Sequence, residues 1–203
     1  MAIQKDWGRL NASLALYHRS ITVAFQRIYA IDQSNSTYDI VNKVYSNTGK
    51  ASNSGAELIG QWKAGKNFKI NASLNAFRVH RDAATVTLLF PYVRSLILPE
   101  TSDFTWDGKL GVEAPLGKST KMQLNGTYYA ARDIAQGSQA SRGSIDFSVS
   151  RTFAKDRIKA SLSATDIFNT FGTRTFVDGV GFDALYENYY ETQAVMLSVE
   201  LKI

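Results

Sequence analysis

The 203 residues carry 23 Lys and Arg against 18 Asp and Glu, a net charge of +5, with 12% aromatic residues, a mean hydropathy of -0.19 and no cysteine. This excludes a disulfide scaffold, thiolate metal sites and a cysteine nucleophile, and the basic residues are scattered, with no Lys/Arg cluster interleaved with aromatics, which argues against nucleic-acid binding. No apolar run approaches the roughly 20 residues that a membrane-spanning helix needs, but spanning strands alternate apolar with polar residues and average to mild hydropathy.

Taken in chain order, period-two alternation marks about nine segments, each long enough for a tilted strand to cross a bilayer. They fall at residues 7–17 (Leu10, Ala12, Leu14, Leu16), 20–31 (Ile21, Val23, Phe25), 54–63 and 67–79. In the last of these, Phe68, Ile70, Ala72, Leu74 and Ala76 alternate with Lys69, Asn71, Ser73 and Asn75. The pattern continues at 103–114, 120–132 (Met122, Leu124, Tyr128), 142–153 (Ile145, Phe147, Val149), 157–168 (Ile158, Ala160, Leu162) and 191–203 (Val195, Leu197, Val199, Leu201, Ile203).

Connections alternate as well. Short ones are expected at His18–Arg19, 64–66, 116–119 and 154–156, and long ones at 32–53, 80–102, 133–141 and 169–190. Outer-membrane barrels have this asymmetry, with tight periplasmic turns and long extracellular loops, and their strand number is even. The expected fold is therefore all-β, an antiparallel transmembrane β-barrel segment of about 9–10 strands. With the last strand ending in the periplasm, the first starts outside the cell, and an odd count leaves strands to be supplied before Met1. Residues 1–6 also lack the basic and apolar regions of an export signal.

Aromatic residues gather near segment ends, at Trp7, Tyr17, Tyr29, Trp62, Phe68, Phe104, Trp106, Tyr128, Tyr129, Phe168, Tyr189 and Tyr190, where interfacial girdles belong.

Two stretches carry a family resemblance. Asn47-Thr-Gly49-Lys-Ala51-Ser-Asn-Ser-Gly55-Ala-Glu57 resembles the N-x-G-x-A-x-x-x-G-x-E pattern that opens a strand in outer-membrane receptor barrels of the Bacteroidota type. Here the glycines are expected to let the strand start without a clash and Glu57 to face the wet lumen. Asp166-Ile-Phe168-Asn169-Thr170 resembles the D-I-F-N-T element of the penultimate strand in TonB-dependent receptors of that group. Tyr17-His-Arg19 leading into Ile21 is similar to a Y-x-R-x-I turn of these barrels, and the chain departs from them in ending on Ile203 rather than Phe.

The resemblance implies the C-terminal strands of a barrel whose plug domain and earlier strands lie outside residues 1–203. It implies a cell outer membrane location and import of a siderophore, cobalamin or a glycan. The implied partners are outer-membrane lipid and lipopolysaccharide, the TonB energy-coupling complex acting through the plug, a surface lipoprotein and the solute itself. The alternatives are a complete small pore or adhesin, and a soluble carbohydrate-binding β protein that would pack one face of each strand into a core.

Catalytic chemistry is sparse, and no enzyme, metal site or cofactor is expected. His18 and His80 lie on separate strand ends, Gly179 and Gly181 lack the strand-to-helix setting of a phosphate loop, and Asp166 with Asn169 reads as a turn cap. Asp183, Glu187 and Glu191 share the last long loop without coordination spacing. Lys69, Asn71, Asn75, Lys121, Gln123, Asn125, Lys159 and Lys202 are expected to line a polar interior. For gripping a ligand, Trp106, Tyr186, Tyr189 and Tyr190 are the expected contacts, placed in loops on a rigid scaffold.

Overall fold

The computed structural model describes residues 1–34, 37–65, 67–89 and 93–202, so Ile203 and the strand end assigned to it lie outside the described residues. Nine strands form one antiparallel meander. In spatial order they are β1 (Ala2–Asp6), β2 (Leu10–Ile21), β5 (Ala51–Ala64), β6 (Phe68–Arg81), β9 (Thr101–Pro115), β10 (Thr120–Tyr129), β13 (Arg142–Phe153), β14 (Ile158–Thr165) and β17 (Ala194–Leu201). The strands missing from that order build the long connections: hairpins β3 (Phe25–Asp32) with β4 (Ile40–Asn47) and β7 (Ala84–Leu88) with β8 (Arg94–Leu98), and a small sheet of β11 (Arg132–Asp133), β12 (Ser138–Gln139), β15 (Thr173–Gly179) and β16 (Phe182–Asn188).

Tight turns fall at one end of the wall and the hairpins at the other, as the spacing of turn residues requires. Gly8, Gly65 and Gly117 take φ of +78°, +70° and +88° in three of these turns, a region closed to most side chains. The fourth turn, unusually, runs through three non-glycine residues, Ala154, Lys155 and Asp156, at φ of 52°, 57° and 68°.

Two expectations at the N-terminal side are corrected. Residues 20–31 are not a wall strand: β2 runs on through His18 and Arg19, which stand opposite Ser54 and Asn53, and residues 25–32 belong to a hairpin above the wall. Polar residues suggested a turn there, but they are the top of an over-long strand, where both faces are wet. Conversely, Ala2–Asp6 is a wall strand the alternation did not reveal, because only Ile3 is a large apolar residue. The two errors cancel, and the wall still has nine strands.

Burial separates the two parts of the molecule. No large apolar residue of the nine wall strands is buried, whereas Ile28 and Ala30 of β3, Val86 and Leu88 of β7, and Leu96 and Leu98 of β8 form the buried core, with Ala135 packed against it. A soluble β protein cannot leave one whole face of its main sheet unpacked, so the soluble alternative is set aside. β1 and β17 are the sheet edges, and all their described residues are exposed.

Candidate functional site: a polar wall face beneath a packed hairpin layer

Ladder register decides which side chains share a face. Reading across β1, β2, β5, β6, β9 and β10, one row is Ile3, Leu14, Leu58, Leu74, Gly108 and Tyr128. Three residues along, and so on the other face, a row from β2 to β13 reads Asn11, Gln61, Asn71, Gly111, Asn125 and Asp146. The polar face bonds to itself: Gln61 Nε2 donates to Asn71 Oδ1 at 2.9 Å, Gln123 Nε2 to Asn125 Oδ1 at 3.3 Å, and Lys69 pairs with Glu113 at 3.7 Å. Lys69, Asn71, Asn75, Lys121, Gln123, Asn125 and Lys159 all lie on this face, as alternation demands once one of them is placed.

The apolar face is bounded by aromatic bands. Near the tight turns, Trp62 meets Phe68 edge-on at 6.2 Å; near the hairpins, Trp106 lies 4.9 Å from Tyr128, with Phe104 and Phe168 exposed close by. Trp106 is therefore misassigned as a loop residue. It sits inside β9 on the apolar face, where its ring covers Gly108, and it belongs to the girdle.

The N-x-G-x-A-x-x-x-G-x-E residues close the first hairpin onto the wall. Asn47 Oδ1 accepts the Gly49 N–H at 2.9 Å in an Asx turn, Gly49 takes φ +85°, and the buried Thr48 donates its hydroxyl to the Ala24 carbonyl at 2.9 Å. Gly55 does not start the strand; it lies within β5 between Tyr17 and Phe77, where a Cβ would come within 2.6 Å of the Ala76 carbonyl oxygen. The bare backbone lets the Tyr17 hydroxyl cross to Asn75 Oδ1 at 2.9 Å. Glu57 is on the same polar face, opposite Ala15 and Asn75.

Asp166 organises the last loop. Its buried carboxylate accepts the Thr170 and Phe171 amides at 3.0 and 3.2 Å and the Thr192 hydroxyl at 2.6 Å, and its own N–H donates to Asp146 Oδ1 at 2.8 Å. Burial pushes the carboxyl pKa up, but the Thr192 hydroxyl and the two amides outweigh it and hold the group below the ordinary carboxylate range. Asn169 serves through its backbone, at φ 52° with its N–H on the Asp166 carbonyl, and Phe168 is turned outward.

The three tyrosines of the last loop do not form one site. Tyr186 in β16 stacks on buried Tyr29 at 5.4 Å, and Lys43 Nζ sits 3.6 Å from its ring centre, so it clamps one hairpin to another; burial, then the neighbouring Tyr29, raises the pKa of its hydroxyl. Tyr189 Oη accepts from Arg174 Nε and Nη2, and Tyr190 has an exposed side chain, its carbonyl accepting the Thr192 N–H at 2.8 Å. Glu187 also engages Arg174, at 2.8 Å, while Asp183 stands opposite Asp178 across the β15–β16 ladder. His18 bonds Ser54 and Ser20, and His80 faces Asp82 and Glu100.

Alternation alone did not reveal the mouth of the polar face. Arg132 pairs with Asp107, and Arg142 lies over both Tyr129 and Phe171 while donating to Thr173 Oγ1 at 2.7 Å. The polar-face parity of Asp107, Tyr129 and Arg142 was the available signal. Above them Gln136 grips the backbone of Tyr29, accepting its N–H at 2.7 Å and donating to its carbonyl at 3.2 Å. Hairpins and connections thereby form one bonded layer over the mouth.

A model of the outer membrane protein beta-barrel family matches residues 1–200. No curated protein and no solved structure matches the chain.

Proposed function

Because the chain belongs to the outer membrane protein beta-barrel family and so lies in the bacterial outer membrane, its apolar face against lipid, we propose that it is a wall sector of a TonB-dependent receptor that imports a siderophore, cobalamin or a glycan. One observation carries this reading. The long connections are folded into a layer with its own apolar core at Ile28, Val86, Leu88, Leu96 and Leu98, standing over a polar lumenal face. A receptor gains from such order, since a pre-organised surface avoids ordering costs when the solute binds.

In this reading Tyr189, Tyr190, Arg142 and Tyr129 face the arriving solute, and the D-I-F-N-T element fixes the loop that presents them. The open ladders of β1 and β17 are met by further strands of the same barrel, because unpaired backbone groups in hydrocarbon cost several kcal/mol each. Energy coupling comes from a plug domain outside these residues, and no catalytic step is involved.

The test is deletion of the gene in its own host. Growth is measured with a ferric siderophore, cobalamin or a glycan as the limiting nutrient, and uptake is timed with and without a protonophore. Loss of growth on one nutrient, with protonophore-sensitive uptake in the parent strain, supports the receptor. Uptake indifferent to the protonophore makes the protein a passive pore, and unchanged growth on all three overturns import.

A further inference from the structure

The polar face of the wall is uneven in charge. At its tight-turn end Lys69 on β6, Lys121 on β10 and Lys159 on β14 line one cavity of about 300 Å3 together with Glu113, Gln123 and Ser150. Lys69 is paired with Glu113 at 3.7 Å. Among the described residues, Lys121 and Lys159 have no carboxylate at ion-pair distance; Glu200 stands opposite Lys159 across the β14–β17 ladder without pairing with it. In the cavity lining three ammonium groups therefore share one carboxylate, with Glu200 beside Lys159 on the same face.

Register fixes their spacing. Lys69, Glu113 and Gln123 form one row, with Lys121 two residues along β10; Lys121, Ser150 and Ser161 form the next, with Lys159 two residues along β14. With strands about 4.8 Å apart and about 3.4 Å per residue, successive lysine backbones are roughly 12 Å apart. A monatomic ion cannot satisfy all three. An extended ligand with negative charge at more than one position can, and the neutral Gln123 and Ser150 between the lysines offer hydrogen-bond donors to its middle.

We propose that this cavity is a subsite for a multiply charged oxyanion, phosphate or carboxylate, on the solute path through the lumen; the proposal rests on the transport reading. Because the lysines lie on the lumenal face, a lipid headgroup is not the source of that anion. Their charge is held in a channel with low-dielectric walls, which concentrates the field. The side chains stay largely hydrated, so binding is governed by charge and weakens with salt.

The test is calorimetric titration of the purified full-length protein with tripolyphosphate at about 50 and about 500 mM salt, where the Debye length falls from roughly 14 to roughly 4 Å. Binding is expected at low salt and at least about tenfold weaker at high salt. K121Q/K159Q is expected to weaken it to a similar degree and K121R/K159R to retain it. Lys5→Gln, at the same end of the wall but on the opposite face, is expected to leave it unchanged. No binding by the parent protein overturns the subsite, as does an equal loss in Lys5→Gln. The titration needs no energised uptake: binding without protonophore-sensitive import keeps the subsite and removes the receptor, and the reverse keeps the receptor and removes the subsite.

Discussion

The wall and the hairpin layer are built from the same kind of strand, with apolar residues at alternate positions, yet they satisfy those residues in opposite ways. Leu74, in the middle of β6, remains 43% exposed, while Ile28, in the middle of β3, is 0% exposed. The bilayer covers the first and other hairpins cover the second. An apolar side chain in lipid has already left water and gains little from neighbours, whereas one above the membrane must find a protein core. The wall is thus held by continuous ladders and by the lipid, and the layer by packing and a few buried polar bonds.

Breaking the polar node that joins the two regions gives the largest expected effect. Asp166→Ala leaves two amides and a hydroxyl without their carboxylate, at a cost of about 4 kcal/mol. Hydrogen exchange should show lost protection over residues 166–193, with β6 and β9 unchanged; loss of protection throughout would mean that wall and layer are one cooperative unit. The same node has a pH signature. The folded-state carboxyl titrates below its unfolded value, so its contribution is complete above about pH 4 and is lost as pH falls through the folded pKa. The gap in denaturant midpoint between the parent and Asp166→Asn should accordingly narrow on acidification below about pH 4; a gap that widens would show that the carboxyl is raised instead.

Next comes the core of the layer. Ile28→Ala is expected to cost about 3 kcal/mol, against about 2 kcal/mol for Leu74→Ala, which forfeits its transfer out of water but leaves no protein cavity. Equal losses in urea unfolding would remove the distinction between packing and solvation by lipid. The sharpest contrast at the wall comes from charge. Leu74→Lys should cost about 2 kcal/mol and reduce the amount of protein inserted, whereas Asn75→Lys, one residue along on the polar face, should be nearly neutral to insertion. If both reduce insertion alike, the face assignment is wrong.

Much of the wall was legible in the chain. Eight of its nine strands, the alternation of tight turns with long connections and the identity of the polar face follow from period-two patterning, because successive strand side chains must point to opposite faces. The D-I-F-N-T cap was legible too, since Asp next to a turn seeks backbone amides locally, at Thr170 and Phe171. The exchange of residues 20–31 for Ala2–Asp6 shows the limit: periodicity reports an amphipathic strand without reporting what lies against its apolar side.

What the sequence determined by itself is therefore a set of two-faced strands, an end of the wall with tight turns and a membrane as the natural solvent for one face. Only the tertiary structure decided which apolar strands leave the membrane and bury one another, because that depends on contacts between distant segments. Gln136 reaches Tyr29 across 107 residues of chain and Thr192 reaches Asp166 across 26, and neither partner carries a local mark of the other. Local sequence fixes the direction of a side chain; long-range packing fixes whether lipid, lumen or protein receives it.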